Sequence, residues 1–522
     1  MTLLKNNNSG YAGKLLVLIF LLAAFLRFFR LSDYPVHLGH DEVSQLYDAI
    51  SISETGKDIY RNNLPFIFKS VNDFKPPFYT YATFFAYKLF GWQDVTIRVT
   101  GAMFGTLMVL GVYFFANEFV KKKEVALIAA FLTAISPFEI FYSRKSFENQ
   151  TGIFLMLLGF TLLKRKKIFL GIVLLGISSY IYFSQVILIP LLLIAYTIIF
   201  WKEAKNYFLK GFILFILIVS PLYYIIYTNP DASNRSKAVF ITQDATIGGS
   251  QRIKVLSKII DRYIKQFSPK YLFLDGLDMT NGKRDVGPLF AVTIPFLILG
   301  IYFLTNDHGL KFSCYFLVSW VLITMIPSSI TFEEYSPHRA LAAFTMLNII
   351  SSLGIYYFFK KFGKLTLFGV LILVILNFAF FIKRYIVNYP IERSEALHYP
   401  FRDISKFAWE NYDKYDTIVF DPKFGEFAPW IGTGAHYYLA YYGKYDPAIM
   451  QKEFRIGDQK VRETKFGKFS IRAVYWPTDH TLKNTLIIAS PWSLPPDIAK
   501  RANIIKIFYF KTTAPAFFAI EL

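Results

Sequence analysis

The chain has 522 residues, 54% of them hydrophobic and 19% aromatic, with a mean hydropathy of +0.37, which is far more apolar than a soluble domain of this length needs. The net charge of +20 does not point to nucleic acid, because much of it sits in short clusters between apolar runs, where basic residues anchor loops on the cytoplasmic side of a membrane. One cysteine, Cys314, excludes a disulfide framework and a Cys-based metal site within one chain. The composition is that of a mainly α-helical, polytopic membrane protein.

In chain order, Leu15 to Phe29 is the first apolar run, flanked by Lys5, Lys14, Arg27 and Arg30. No small-residue cleavage site follows it and many further spans do, so it reads as an uncleaved helix rather than a signal peptide. Further apolar runs fall near 99–119, 124–142, 149–163, 168–184, 186–201, 209–227, 288–304, 311–330, 340–359 and 364–382. The run Pro77 to Phe90 is ambiguous, and charge parity decides it. The clusters Lys121–Lys123, Lys164–Lys167, Lys202 with Lys205, and Lys360, Lys361 and Lys364 all fall on the cytoplasmic side only if 77–90 does not cross. It is therefore expected to lie at the outer surface, which leaves about eleven transmembrane helices.

The same parity gathers three polar loops, 31–98, 143–148 and 331–339, on the outer face, with the longer segment 228–287 and the tail. Residues 1–382 are thus expected to form a membrane domain, whose outer loop 31–98 would be catalytic, and 383–522 a soluble extracytoplasmic α/β domain. In that tail, YPFRDISKFAWENY reads as a helix and DTIVF, FSIRAVYW, TLIIAS, IIKIFYF and FFAIEL as strands.

The stretch from Val36 to Tyr81 holds His37, His40, Asp41, Glu42, Asp58, Asp73 and Lys75 between two apolar regions. Adjacent carboxylates and histidines beside a span are costly unless paired, metal-bound or facing water, so this is read as the catalytic loop. Asp41 and Glu42 point about 100° apart on a helix and could serve a substrate hydroxyl and a second partner. Equally, Asp41 could cap the helix EVSQLYDAISI with Glu42 as its first-turn acid. Lys75 precedes Pro76 and Pro77, which fix an extended entry into a helix and could aim the ammonium at a phosphate; ordinary proline helix initiation with a snorkelling lysine is the alternative.

In FYSRKSFENQ, Arg144 and Glu148 could give a phosphate contact and a carboxylate facing the site, or a structural ion pair four residues apart. In EEYSPHRAL, His338 and Arg339 suit a phosphate leaving group, or a basic collar at lipid headgroups. No Gly-rich phosphate loop, serine nucleophile elbow or His-x-x-x-His helix occurs.

Together, GHDEV (39–43), TGKD (55–58), DFKPPFYTY (73–81), FGWQDVTIRV (90–99), SPFEIFYSRKSFENQ (136–150) and SPHRAL (336–341) resemble glycosyltransferase family 39, the protein O-mannosyltransferase and aminoarabinose-transferase-like enzymes of the GT-C fold. The resemblance covers about residues 10–360. It implies a polyprenyl-phosphate sugar donor, transfer at the outer face of the cell membrane to a protein, lipid or glycan acceptor, and usually inversion. It also implies a catalytic first Asp, here Asp41, with Glu42 beside it. Family members often have His where this chain has Lys75, and Asp where it has Glu148. If a divalent ion such as Mg or Mn is used, His40, Glu42 and Glu148 are the candidate ligands. Lys75, Arg144, His338 and Arg339 would hold the departing phosphate. A transporter or flippase of lipid-linked sugars, an oligosaccharide ligase using a diphosphate-linked donor, and a non-catalytic scaffold are the rival readings; a transporter should carry ionisable residues near mid-membrane.

Overall fold

The structure is a computed structural model that describes residues 9–71, 74–229, 240–243, 252–277, 286–331, 333, 336–429, 431, 434–456, 463–497 and 502–522. Asp73 and much of 228–287 lie outside these residues. The chain forms two compact units, Met1–Leu31 with Arg98–Tyr385, and Ser32–Ile97 with Ile386–Leu522.

The first unit is helical. Among the described residues, six helices of the chain are long and apolar enough to cross a membrane: Tyr11–Phe28, Val95–Val120, Phe208–Thr228, His308–Ser329, Pro337–Phe362 and Phe368–Glu392. A seventh arises if Lys123–Ile135 and Pro137–Arg144, bent by 51°, make one broken span. Every apolar run read from the sequence carries a helix, and several of the eleven fall below the length of a full perpendicular span. Ile168–Ser179, Phe183–Ile199 and Ala291–Asn306 fall below the length, and Glu148–Lys164 stops at 17 residues. At about 1.5 Å per residue, a twelve-residue helix covers about 18 Å of a hydrocarbon core about 30 Å thick.

The break at Ser136–Pro137 shows how a span ends early. Pro137 has no N–H to give the carbonyl of Thr133, four residues back. The guanidinium of Arg27, fully buried, donates instead to Thr133 O at 3.2 Å and Ala134 O at 3.0 Å. The long helix Pro337–Phe362 forms the middle of this unit, packed on Lys123–Ile135, Ile294–Asn306 and Lys311–Thr324. At its crossing with Ile294–Asn306, any side chain at Gly300 would strike the carbonyl of Ile350, and one at Gly354 that of Phe296, so only glycine allows this approach.

The second unit joins the first polar loop to the tail. The sequence reading placed 31–98 with the membrane domain and cut the chain at 383. By packing, Ser32–Ile97 instead shares a core with the tail. Leu46, Tyr47 and Ile50 of the helix His40–Thr55 sit in one buried cluster with Phe401, Tyr437 and Tyr438. His37 fastens the two stretches: its Nδ1 lies 3.0 Å from Leu397 O, and its Nε2 accepts from the Arg402 N–H at 3.0 Å.

Among the described residues, nine short strands complete the unit: β1 (Phe68–Lys69), β2 (Phe74–Lys75), β3 (Thr417–Phe420), β4 (Arg455–Ile456), β5 (Thr464–Phe466), β6 (Phe469–Ile471), β7 (Thr485–Ala489), β8 (Ile504–Tyr509) and β9 (Pro515–Glu521). The last seven form a mixed sheet in the order β4-β5-β6-β3-β7-β9-β8, with β3 parallel to both β6 and β7. The helix and strands expected in the tail are present, except that FSIRAVYW keeps only β6 as strand. Arg472 pairs with Asp479 at 2.8 Å, and Asp479 also accepts the Tyr475 N–H, which turns the chain into a helical turn at Trp476–Asp479. The unanticipated helix Ala435–Tyr442 buries Tyr437, Tyr438 and Tyr441.

Candidate active site

In the second unit, the helix His40–Thr55 begins after Gly39, so Asp41 and Glu42 stand in its first turn, where the helix dipole favours negative charge. The Glu42 carboxylate reaches back to the Gly39 N–H at 2.9 Å and is almost fully buried. Capping is thus the work of Glu42 rather than Asp41. The Asp41 side chain is 39% exposed. Its Oδ2 lies 3.2 Å from the Lys75 Nζ and its Oδ1 3.6 Å from the His40 Nε2.

Lys75 is positioned by a hairpin. β1 and β2 pair antiparallel, with Phe68 opposite Lys75, and Pro76 then caps the helix Pro77–Phe90. This leaves Lys75 only 4% exposed. A buried ammonium is costly without a counter-ion, and Asp41 supplies one. The imidazoles of His40 and His398 meet edge to face at 5.1 Å.

Sequence reasoning missed Asp48, two turns along from Asp41 and fully buried. It accepts from the Ile59 N–H at 3.4 Å and the Tyr437 hydroxyl at 3.5 Å. Burial pushes its carboxyl well above the usual range, and the nearby Asp58 pushes it further. Asp58 holds its own loop by accepting from the Asn62 N–H at 2.8 Å and amide at 2.9 Å. The seven-residue spacing from Asp41 was the signal available, since it puts Asp48 on a similar face of the helix.

The remaining sequence candidates lie in the first unit. Arg144 is buried, and its guanidinium donates to the carbonyls of Leu26, Arg27, Phe29 and Arg30 at 2.9 to 3.2 Å. These are the orphan acceptors at the end of the first helix, where positive charge is favoured. Glu148 opens the next helix and is buried. A turn with Ser146 at φ 58° separates it from Arg144, so the two do not share a helix face. Arg339 pairs with Glu333 at 2.8 Å, and the His338 Nε2 lies 3.2 Å from the Ser336 hydroxyl. Asn149 donates to the His338 carbonyl, and Gln185 holds Asn149 at 3.1 Å, so these two loops are tied together.

A buried polar seam lies behind them. Glu139, fully buried, accepts from the Gln150 amide and from the Thr345 hydroxyl at 3.4 Å, while Asn348 reaches Ser136 at 3.5 Å. Glu139 stood in a quoted motif without being singled out. Among the described residues, no three His, Cys, Asp or Glu side chains are grouped to hold a metal ion.

Residues 74–225 match the family model described as dolichyl-phosphate-mannose-protein mannosyltransferase. The fold is similar to that of ArnT from Cupriavidus metallidurans in the apo state, with a TM-score of 0.60 at 14% identity, covering 98% of each chain. The same protein bound to undecaprenyl phosphate gives a TM-score of 0.62 at 13% identity, again over 98% of each chain. The oligosaccharyltransferase AglB from Archaeoglobus fulgidus, in complex with an inhibitory peptide and a dolichol-phosphate, gives 0.50 at 14% identity, covering 83% of this chain and 63% of that one. No curated protein matches.

The fold is thus like that of ArnT, and the stretch 74–225 carries the match to the mannosyltransferase family model. More narrowly, the chain is similar to the mannosyltransferase and ArnT group that its motifs resemble.

Proposed function

We propose that the chain moves a sugar from a polyprenyl-phosphate-linked donor to a protein, lipid or glycan acceptor at the outer face of the cell membrane, with Asp41 as general base. The carrying observation is the pair of a part-exposed Asp41 and a buried Lys75 at 3.2 Å. The exposed side of the carboxylate can meet an acceptor, while the ammonium offers a fixed charge to a phosphate. Undecaprenyl phosphate and dolichol-phosphate in the similar structures support a lipid phosphate as the donor's leaving group.

In the step so derived, Asp41 takes the proton of an acceptor hydroxyl or amine as that atom bonds to the anomeric carbon. The bond from that carbon to the phosphate oxygen breaks, and its electron pair leaves on the polyprenyl phosphate. A single displacement of this kind inverts the anomeric centre. Lys75 stabilises the charge that grows on the phosphate, and its attraction to the donor loosens its hold on Asp41. Glu42 orients the first turn through Gly39. His338 and Arg339 are kept as candidate phosphate contacts and Glu148 as a candidate carboxylate. Arg144 is assigned to the helix end it caps, and no step runs through a divalent ion, since His40, Glu42 and Glu148 form no three-ligand group among the described residues.

In topology, the eleven apolar helices each cross, the shorter ones through a locally thinned bilayer. Charge parity then puts the second unit outside. The test is sugar release from radiolabelled polyprenyl-phosphate sugars by purified protein, wild type against Asp41→Asn. Turnover of one donor, lost in a folded variant, supports the reading. Full transfer by Asp41→Asn would reject Asp41 as base.

A further inference from the structure

In the first unit, the helices Ile168–Ser179, Phe183–Ile199 and Phe208–Thr228 enclose a cleft of about 530 Å³ whose walls are almost wholly apolar. Two prolines within these helices shape it. Pro190 deprives the Val186 carbonyl of its helical donor, and the Tyr223 hydroxyl, which lines the cleft, donates to that carbonyl at 2.6 Å. Pro221 does the same to Leu217, whose carbonyl accepts from the Ser220 hydroxyl at 3.2 Å. The backbone acceptors that the kinks would leave bare are thereby satisfied within the protein, and the wall stays dry.

The polar features of the cleft lie at one end. Tyr196 and Tyr207 both line it there. Neither hydroxyl has a hydrogen-bond partner among the described residues, and Tyr196 is 2% exposed. Two buried hydroxyls without a partner have O–H groups with nothing to donate to, which calls for an acceptor inside the cleft.

The same end is strongly basic. Lys164 is held by Glu203 and Arg165 by Glu118, each at 2.8 Å. Lys166, Lys167, Lys202, Lys205 and Lys210 are exposed and carry no ion pair among the described residues.

We propose that this cleft seats an anionic glycerophospholipid of the leaflet on the basic side. One acyl chain fills the apolar walls, an ester carbonyl accepts from the tyrosine pair, and the headgroup phosphate meets the lysines. Charge complementarity selects this occupant over a zwitterionic lipid. The two tyrosine hydroxyls select it over the donor's polyprenyl chain, which has no ester carbonyl to accept from them. The inference does not depend on the catalytic reading.

The test is native mass spectrometry of protein released from nanodiscs of phosphatidylglycerol and phosphatidylethanolamine in equal parts. Wild type should retain phosphatidylglycerol. Substituting Lys166, Lys167, Lys205 and Lys210 by Gln together should lower the phosphatidylglycerol to phosphatidylethanolamine ratio by about tenfold. Gly211→Leu fills the cleft, because a Cβ there comes no nearer than 3.6 Å to its neighbours, Ile172 and Ile168, and the rest of the side chain enters the space, so it should lower retention of both lipids. Should Gly211→Leu fail to fold, the lysine variant decides alone. An unchanged ratio in that variant overturns the proposal, as does wild type enriched from native membranes carrying polyprenyl phosphate at one copy per cleft, lost on Gly211→Leu.

Discussion

Asp41→Asn and Lys75→Gln should separate the structural value of their ion pair from its catalytic one. At 3.2 Å the two charges attract by about 5 kcal/mol at an effective dielectric constant of about 20. The Asp41 side chain is 39% exposed, and water screens it, so the net loss of stability on removing either partner is about 1–3 kcal/mol. Lys75→Gln should be the milder change, because it leaves a part-exposed carboxylate, whereas Asp41→Asn leaves an ammonium buried beside an amide. The double variant should therefore unfold at a higher temperature than Asp41→Asn. Catalysis should behave in the opposite sense. Loss of the base costs about 10²- to 10⁴-fold and loss of one preorganised charge on the leaving group about 10²- to 10³-fold, without full additivity, so the double variant should transfer no faster than the worse single one. The assays are thermal unfolding in detergent and single-turnover transfer from the donor identified in the screen. A double variant recovering both stability and turnover would refute the reasoning, as would a Lys75→Gln protein with wild-type kinetics.

Arg144→Ala should lower stability by about 2–4 kcal/mol through the carbonyls it uncaps at the end of the first helix, read as a fall in unfolding temperature. A variant with unchanged unfolding temperature and a raised donor KM would return Arg144 to the phosphate. Dialysis against EDTA should leave the transfer rate unchanged; a rate restored only by Mg or Mn would bring His40 and Glu42 back as ligands. Asp48→Asn should raise the unfolding temperature at pH 7. Because burial and Asp58 hold Asp48 well above the usual carboxylate range, the folded protein keeps a proton that the unfolded chain releases, and stability falls as pH rises from about 4. The advantage of Asn should therefore shrink toward pH 4, and a gain independent of pH would show that the charge of Asp48 is not what costs stability.

What was legible in the sequence follows from what local pattern encodes. Apolar runs located the helices, because burial and span length write themselves as continuous hydrophobic segments. The tail strands showed for the same reason, since TLIIAS and FFAIEL are β-branched and aromatic runs with few alternatives. The crowding of Asp41 and Lys75 into one polar loop was also visible, as was the proline pair that follows the lysine. Tertiary bonding was not. Nothing local says that His37 bonds to Leu397 and Arg402 more than 350 positions away, which is what joins the first loop to the tail. Nor does the sequence show that the Arg144 guanidinium meets four carbonyls, because backbone acceptors leave no mark on residue identity. Glu139 was passed over because it stands singly among apolar residues, and its partners Gln150 and Thr345 come from two other helices.

Arg27 and Pro137 carry that lesson to a quantitative test. Proline removes the N–H that would bond Thr133, and Arg27 brings a guanidinium from another helix to the same carbonyl and to Ala134. Arg27→Leu should therefore strand two buried acceptors and destabilise the fold by about 2–4 kcal/mol. In the Pro137→Ala background, an N–H at position 137 can take the Thr133 carbonyl by continuing the helix, so the cost of Arg27→Leu should drop by about 1 kcal/mol. The coupling is measured by a double-mutant cycle in unfolding free energy. Activity should fall in both backgrounds, because straightening the bend moves the helix Pro137–Arg144 and the loop that follows it. Strict additivity of the two substitutions would show that Arg27 is not replacing the donor that proline lacks, and the bend would then need another cause.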